Sequence, residues 1–183
     1  MGGGVALGVT LKFPQHVEKL TLVDSYGLGK KLLGGKLTYF ASKIPFFYEV
    51  IRLSLQHSRF LTKLGVYNLF YNQKIVTGEI IDEAWSSLKA AGMHPIWKAF
   101  QNHEITFAGY RTCYLDFLRQ IQCPILVIHG AQDRLVPVEW AKRAHKIIPN
   151  SELKIFENCG HLPPREKPEA FHLILSKFLS SIE

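Results

Sequence analysis

The stretch Pro124-Ile-Leu-Val-Ile-His-Gly130 restricts this chain more than any other. It is a near-continuous apolar run bounded by proline and glycine. Half-buried strands alternate apolar with polar residues, whereas a run like this suits a parallel strand covered on both faces. Strand-like and helix-like patterns alternate around it. Lys19–Val23 reads as a short strand ending in Asp24-Ser-Tyr-Gly27. Pro137 is placed to start a helix through Ile147, since proline favours the first helical position. Glu152–Phe156 is another strand, and Pro168 opens a last amphipathic helix with Phe171, Ile174, Leu175 and Phe178 at helical spacing. Near the N-terminus, Val5, Ala6, Leu7, Val9 and Leu11 are too apolar for a surface helix, so a buried helix is expected over residues 2–12. The order predicts an α/β fold built on a parallel sheet.

Residues 30–115 do not share this pattern. Phe47, Val50, Ile51 and Leu55 form one helical stripe, expected to bury. Arg52, Gln56, Arg59 and Lys63 form another, expected to face solvent. Glu79, Asp82 and Glu83 open a further helix, with Lys89 near its end and Gly92 after it, an order that suits the helix dipole. Pro95 and Gly109 divide the rest of the segment into short helices. The expectation is an all-helical insertion at 30–115 between core segments 1–29 and 116–183. At 183 residues, 47% of them hydrophobic, the chain has the size and core of one domain with such an insertion, and it is not a disordered chain.

The net charge of +7 belongs to the insertion. Residues 30–78 carry eight basic residues (Lys30, Lys31, Lys36, Lys43, Arg52, Arg59, Lys63, Lys74) against Glu49 alone. Aromatic residues from Tyr39 to Tyr71 are interleaved with them. This combination reads first as a small helical core with a solvated outer face. The second reading is an apolar lid over a hydrophobic substrate, whose basic rim draws in an anion or touches a membrane surface. Single-stranded nucleic-acid binding ranks last, because no nucleic-acid motif accompanies the pattern.

Other classes are excluded more simply. No run of about 18 apolar residues could span a membrane, and the glycine-rich N-terminus has no basic region of a signal peptide. Cys113, Cys123 and Cys159 are too few and too scattered for a disulfide framework or metal site, which favours a reducing compartment such as the cytoplasm. Gly2-Gly-Gly4 with Gly8 and Asp24 imitates a dinucleotide fingerprint. However, no strand precedes it and Leu7 stands at the third glycine position, so no cofactor is implied.

Two signals carry chemistry. Asp133 lies in the loop after the 124–130 strand, within His129-Gly-Ala-Gln-Asp-Arg-Leu-Val-Pro137. His161 lies in the loop after the next strand, within Glu157-Asn-Cys-Gly-His-Leu-Pro163. Ligands of parallel sheets bind beyond the carboxyl ends of the strands. There a carboxylate can fix one imidazole nitrogen and leave the other as a general base. Taken singly, Asp133 is as well explained as a turn or helix-capping residue and His161 as a structural histidine. Their joint spacing favours the pair. Asp24 also follows a strand and reads mainly as a turn residue, although it could serve as the acid. Cys159 reads as a buried structural thiol.

Here the chain resembles the C-terminal part of a serine-type α/β hydrolase with a helical cap. Gly130 to Pro137 matches that family's Gly-x-x-Asp-x-x-Val-Pro, and Gly160 to Pro168 its Gly-His-x-x-x-x-Glu-x-Pro. Leu22-Val-Asp-Ser-Tyr-Gly-Leu28 resembles the strand and loop before the cap. The resemblance implies Asp133 as the acid and His161 as the base of a Ser-His-Asp triad that hydrolyses an ester-like or other small apolar substrate. Aligned to the nucleophile elbow Gly-x-Ser-x-Gly, Met1 is the residue after the nucleophile, and its backbone N–H is implied as an oxyanion donor. The nucleophile would stand one residue before Met1, so the sequence reads as a fragment beginning at an internal methionine. The alternative expectation is a catalytically inactive product or a non-enzymatic binding protein.

Overall fold

The computed structural model describes residues 1–90 and 93–180, with side chains left out at 93–97. Gly92, expected just past a helix, lies outside them. In chain order the elements are α1 (Gly2–Lys12), β1 (Leu20–Val23), α2 (Lys36–Lys43), α3 (Phe47–His57), α4 (Arg59–Leu69), α5 (Gly78–Lys89), α6 (Met93–Glu104), β2 (Ile105–Thr106), β3 (Gly109–Tyr110), β4 (Ile125–Gly130), α7 (Val138–Ile147), β5 (Ser151–Phe156), α8 (Pro163–Glu166) and α9 (Pro168–Ser180). They fall into two compact units. One holds Met1–Gly29, Leu69–Asn72 and the chain from Cys113 on; the other holds Lys30–Asn68 and Gln73–Thr112. No helix among the described residues is long and apolar enough to cross a membrane.

The first unit is an α/β structure on a parallel sheet of order β1-β4-β5. All six residues of β4 are buried, which is why its sequence shows no alternation. It is the middle strand, with a partner on each side and helices against it. Leu126 and Ile128 pack against Phe171 and Phe178 of α9, with Ile174, Leu175, Val23 and Phe156 completing the cluster. Helix α7 packs on β4 and β5, and α1 packs against β1. Helix α1 forms where expected, but it buries only the face of Gly4, Leu7 and Thr10 and leaves Val5 68% exposed. Its sequence is apolar on both faces, so no periodicity distinguishes the covered side from the open one.

The loops leaving β4 and β5 meet backbone to backbone. A Cβ on Gly130 would fall 1.9 Å from the Gly160 carbonyl oxygen and 2.7 Å from that of Cys159. A Cβ on Gly160 would fall 2.5 Å from the Leu69 carbonyl oxygen. Both positions therefore require glycine for closeness.

The second unit is mostly helical but not wholly so. Strands β2 and β3 form an antiparallel ribbon, which corrects the all-helical expectation. Two-residue strands are too short to leave a period in the sequence. Pro95 does not break a helix. It lies in the first turn of α6, where its missing N–H has no intrahelical partner to lose. Thr77 caps α5, its Oγ1 accepting the Ile80 N–H at 3.4 Å.

The two stripes are not divided as expected, and the basic one does not share a single helix, since α3 ends at His57 and Arg59 and Lys63 lie on α4. Val50 is 60% exposed, whereas Arg52 is half-buried, held by Glu49 and by Gln56 Oε1 at 2.5 Å. Arg59 makes two bonds to Asp82, at 2.6 and 3.2 Å, and the Lys63 ammonium sits 5.2 Å from the Tyr67 ring centre. The basic face is thus partly neutralised by acids brought in from neighbouring turns and helices.

The glycines predict opposite outcomes. Gly130→Ala should cost at least about 1–3 kcal/mol, the usual price of overpacking, because rigid backbone opposes the new methyl. Gly65→Ala should stabilise by up to about 1 kcal/mol through helix propensity, since nothing lies within 4 Å of its Cβ position. Urea denaturation of the two variants beside the native chain checks both signs.

Candidate active site

The parallel register carries the ends of all three strands to one edge of the sheet. Val23 pairs with Ile128, and the β4–β5 pairing continues to Gly130 and Phe156. Residues just past these ends are therefore neighbours.

Asp133 occupies the turn between β4 and α7. Its Oδ1 accepts the N–H groups of Leu135 and Val136 at 2.7 and 3.1 Å. Its Oδ2 accepts from His161 Nδ1 at 2.8 Å. It is thus both the turn residue of the plainer reading and the partner of the histidine. Because an ionised carboxylate only accepts, the Nδ1 of His161 carries the proton, and Nε2 is left as an acceptor. The Asp133 side chain is fully buried and that of His161 is 25% exposed. Burial pushes the Asp133 carboxyl up. The neighbouring His129 ring and the hydrogen bonds from His161 and the Leu135 N–H outweigh it and hold the group well below the usual carboxylate range.

Hydrogen bonds to backbone groups fix the histidine loop. The His161 N–H donates to the Leu69 carbonyl at 2.7 Å. Glu166 accepts the Gly160 N–H at 2.6 Å through Oε1, and those of Tyr71 and Asn72 at 2.9 and 3.1 Å through Oε2. Gln132, on the acid loop, exchanges hydrogen bonds with the Cys159 backbone in both directions at 3.0 Å. The two loops are stitched together independently of the Asp133–His161 bond.

Asp24 is more than a turn residue. It has left-handed backbone (φ 43°), and its Oδ1 accepts the Gly130 N–H at 2.9 Å. Beside it His129 is fully buried, its Nε2 donating to the Val136 carbonyl at 3.0 Å. The same Nε2 lies 3.6 Å from Asp24 Oδ1 and 3.5 Å from Asp133 Oδ2. Burial pushes the Asp24 carboxyl up to about 6, against the pull of His129 and the Gly130 N–H. Burial opposes charging of His129, but hydrogen bonding to Asp133 and the charge of Asp24 leave its affinity for a proton raised.

Asp24, Asp133 and His161 each bring a ligand-type atom within 4.8 Å of the others. The Asp133 and His161 atoms already bond each other, which accounts for the grouping without an ion. Cys159 is fully buried and its thiol is pushed up to about 12 by burial and by Glu166, so it is no thiolate nucleophile. Met1 stands at the N-cap of α1, its carbonyl accepting from the N–H groups of Gly4 and Val5. Among the described residues it makes no hydrogen bond to Asp133 or His161. The sequence reading missed His129 and undervalued Asp24. Their only signals were a polar residue inside an apolar run and an acid ending a strand.

A parallel sheet whose carboxyl edge joins an acid from one loop to a histidine from the next is the architecture of an α/β hydrolase. The chain belongs to that family: the model of the alpha/beta hydrolase fold matches residues 1–168. An uncharacterized hydrolase of Bacillus subtilis, YugF, is 30% identical over 98% of this chain and 62% of its own length. The 2-hydroxymuconate semialdehyde hydrolase of Pseudomonas putida is 29% identical over 100% of this chain and 60% of its own. Among solved structures, a meta-cleavage product hydrolase from Pseudomonas fluorescens superimposes with a TM-score of 0.77 at 18% identity, over 99% of this chain and 62% of that one. The chain thus spans about three fifths of the length of these relatives.

The buried acids predict opposite pH dependences. Asp24 titrates near 3.8 when unfolded and near 6 when folded. Its contribution to stability is present below pH 3.8 and is lost as pH rises to 6, a loss of about 3 kcal/mol at most. Asp133, depressed, contributes stability above pH 4 that is lost as pH falls. Asp24→Asn should therefore gain on the native chain between pH 4 and 6. Urea midpoints at pH 4, 5, 6 and 7 read this directly, and parallel curves would contradict the assignment.

Proposed function

We propose that this chain supplies the acid and base of a serine-type hydrolase acting at the carbonyl carbon of a small, largely apolar substrate. The carrying observation is the 2.8 Å bond between His161 Nδ1 and Asp133 Oδ2, which leaves the Nε2 of a partly exposed ring free to take a proton. In this reading Nε2 removes the proton of an attacking hydroxyl and returns it to the leaving group. Asp133 keeps the ring in the useful tautomer and stabilises the imidazolium that forms. No Ser, Thr or Cys side chain bonds His161 among the described residues. The attacking serine would therefore come from the part of the family's fold that this chain does not span. An oxyanion would be met by the backbone N–H of Met1 at the start of α1, where the helix dipole also favours negative charge.

The substrate class rests on the relatives. Relatives named as hydrolases of 2-hydroxymuconate semialdehyde and of 2-hydroxy-6-oxo-6-phenylhexa-2,4-dienoate act on small unsaturated molecules that bear a carboxylate and an aldehyde or ketone carbonyl. We therefore favour a carboxylate-bearing substrate over a neutral ester.

The test is steady-state hydrolysis of p-nitrophenyl acetate and of a 2-hydroxy-6-oxo-dienoate by the protein that carries these residues with the family's N-terminal part. His161→Ala and Asp133→Asn should each lower kcat by about 10⁴-fold or more. The dienoate should be preferred in kcat/KM. Turnover undiminished in His161→Ala would overturn the reading.

A further inference from the structure

Behind the Asp133–His161 pair lies a second acid–imidazole pair that the proposed reaction does not use. We propose that Asp24 and His129 are positioning residues whose joint protonation state, at the back of Asp133, sets the basicity of His161. The inference rests on the reading of Asp133 and His161 as acid and base, but its test does not require turnover.

The geometry is a chain of four groups. His161 Nδ1 is 2.8 Å from Asp133 Oδ2, that oxygen is 3.5 Å from His129 Nε2, and this nitrogen is 3.6 Å from Asp24 Oδ1. The side chains of Asp24, His129 and Asp133 are at most 2% exposed, so a charge on any of them acts on the others with little screening. Among the described residues, the inner pair has only the Gly130 N–H on Asp24 and the Val136 carbonyl on His129 as further hydrogen-bond partners. Asp24 Oδ2 and His129 Nδ1 are buried without a hydrogen-bond partner. Other titratable groups near the cluster are the Cys159 thiol, the Glu166 carboxylate and the Lys167 ammonium, which acts on that thiol. The thiol is neutral, and Glu166 is committed to three backbone N–H groups.

The distribution of one proton therefore has consequences. With the proton on His129, a cation faces Asp133 and offsets its anion, so His161 is held less strongly as imidazolium. With the proton on Asp24 and His129 neutral, the charge of Asp133 acts on His161 without that offset. With neither protonated, two anions act together and His161 is most basic. A purely structural Asp24, capping the Gly130 N–H, would have none of these effects, because asparagine offers the same oxygen.

The test is an NMR titration of the full chain, labelled at the histidine rings and the aspartate carboxyl carbons. In the native protein, the signals of Asp24, His129 and His161 should share one transition. In Asp24→Asn the His161 midpoint should fall by about one pH unit, a tenfold weaker hold on the proton. In His129→Gln, whose amide can still donate to the Val136 carbonyl, it should move the opposite way. Independent native transitions, or an unmoved His161 midpoint in a well-dispersed Asp24→Asn spectrum, would overturn the proposal. If either variant fails to fold, the shared native transition still decides. Coupling found without hydrolysis would refute only the functional reading, and hydrolysis without coupling only this inference.

Discussion

The carbonyl oxygen of Gly160 occupies the place that a side chain at residue 130 would need. The absence of that side chain permits the two functional loops to come together, and the hydrogen bonds between Gln132 and the Cys159 backbone hold them there. Once Gly130 and Gly160 touch, Gln132 reaches the Cys159 backbone, Asp133 lies opposite the histidine ring, and the Gly130 N–H is turned toward Asp24. The parallel sheet supplies the edge, and the glycine pair sets the spacing along it.

Much of this was legible in the residues. The unbroken run at 125–128 suits a strand buried on both faces, and β4 is the central strand. Asp133 and His161 stood out because each follows such a strand. What could not be read depends on partners distant in sequence. The open face of α1 looks the same in sequence as its covered face. Arg59 reads as a free cation until Asp82 is brought beside it. Asp24 looked like a turn residue because its environment is set by register. Val23 pairs with Ile128, and only that alignment brings Asp24 beside His129.

The buried charges show why the site and the fold are not independent. The sheet edge holds two carboxylates and a fully buried imidazole within hydrogen-bonding range or just beyond it. Burial works against every ionised member. Asp133 remains an anion because two backbone N–H groups and two rings compensate it; Asp24 has fewer donors and holds its proton to higher pH. Two chemically identical residues thus acquire different characters from their neighbours.

The return of Leu69–Asn72 to the sheet-bearing unit bears on how such a protein could be rebuilt. The second unit is interrupted by four residues whose main chain serves the other unit: the Leu69 carbonyl receives the His161 N–H, and Tyr71 and Asn72 saturate Glu166. A graft that exchanged everything from 30 to 112 as one cassette would carry these groups away with it. It would leave a carboxylate facing its own loop with one donor instead of three. The exchangeable pieces are two, Lys30–Asn68 and Gln73–Thr112, and the short span between them has to be inherited with the histidine.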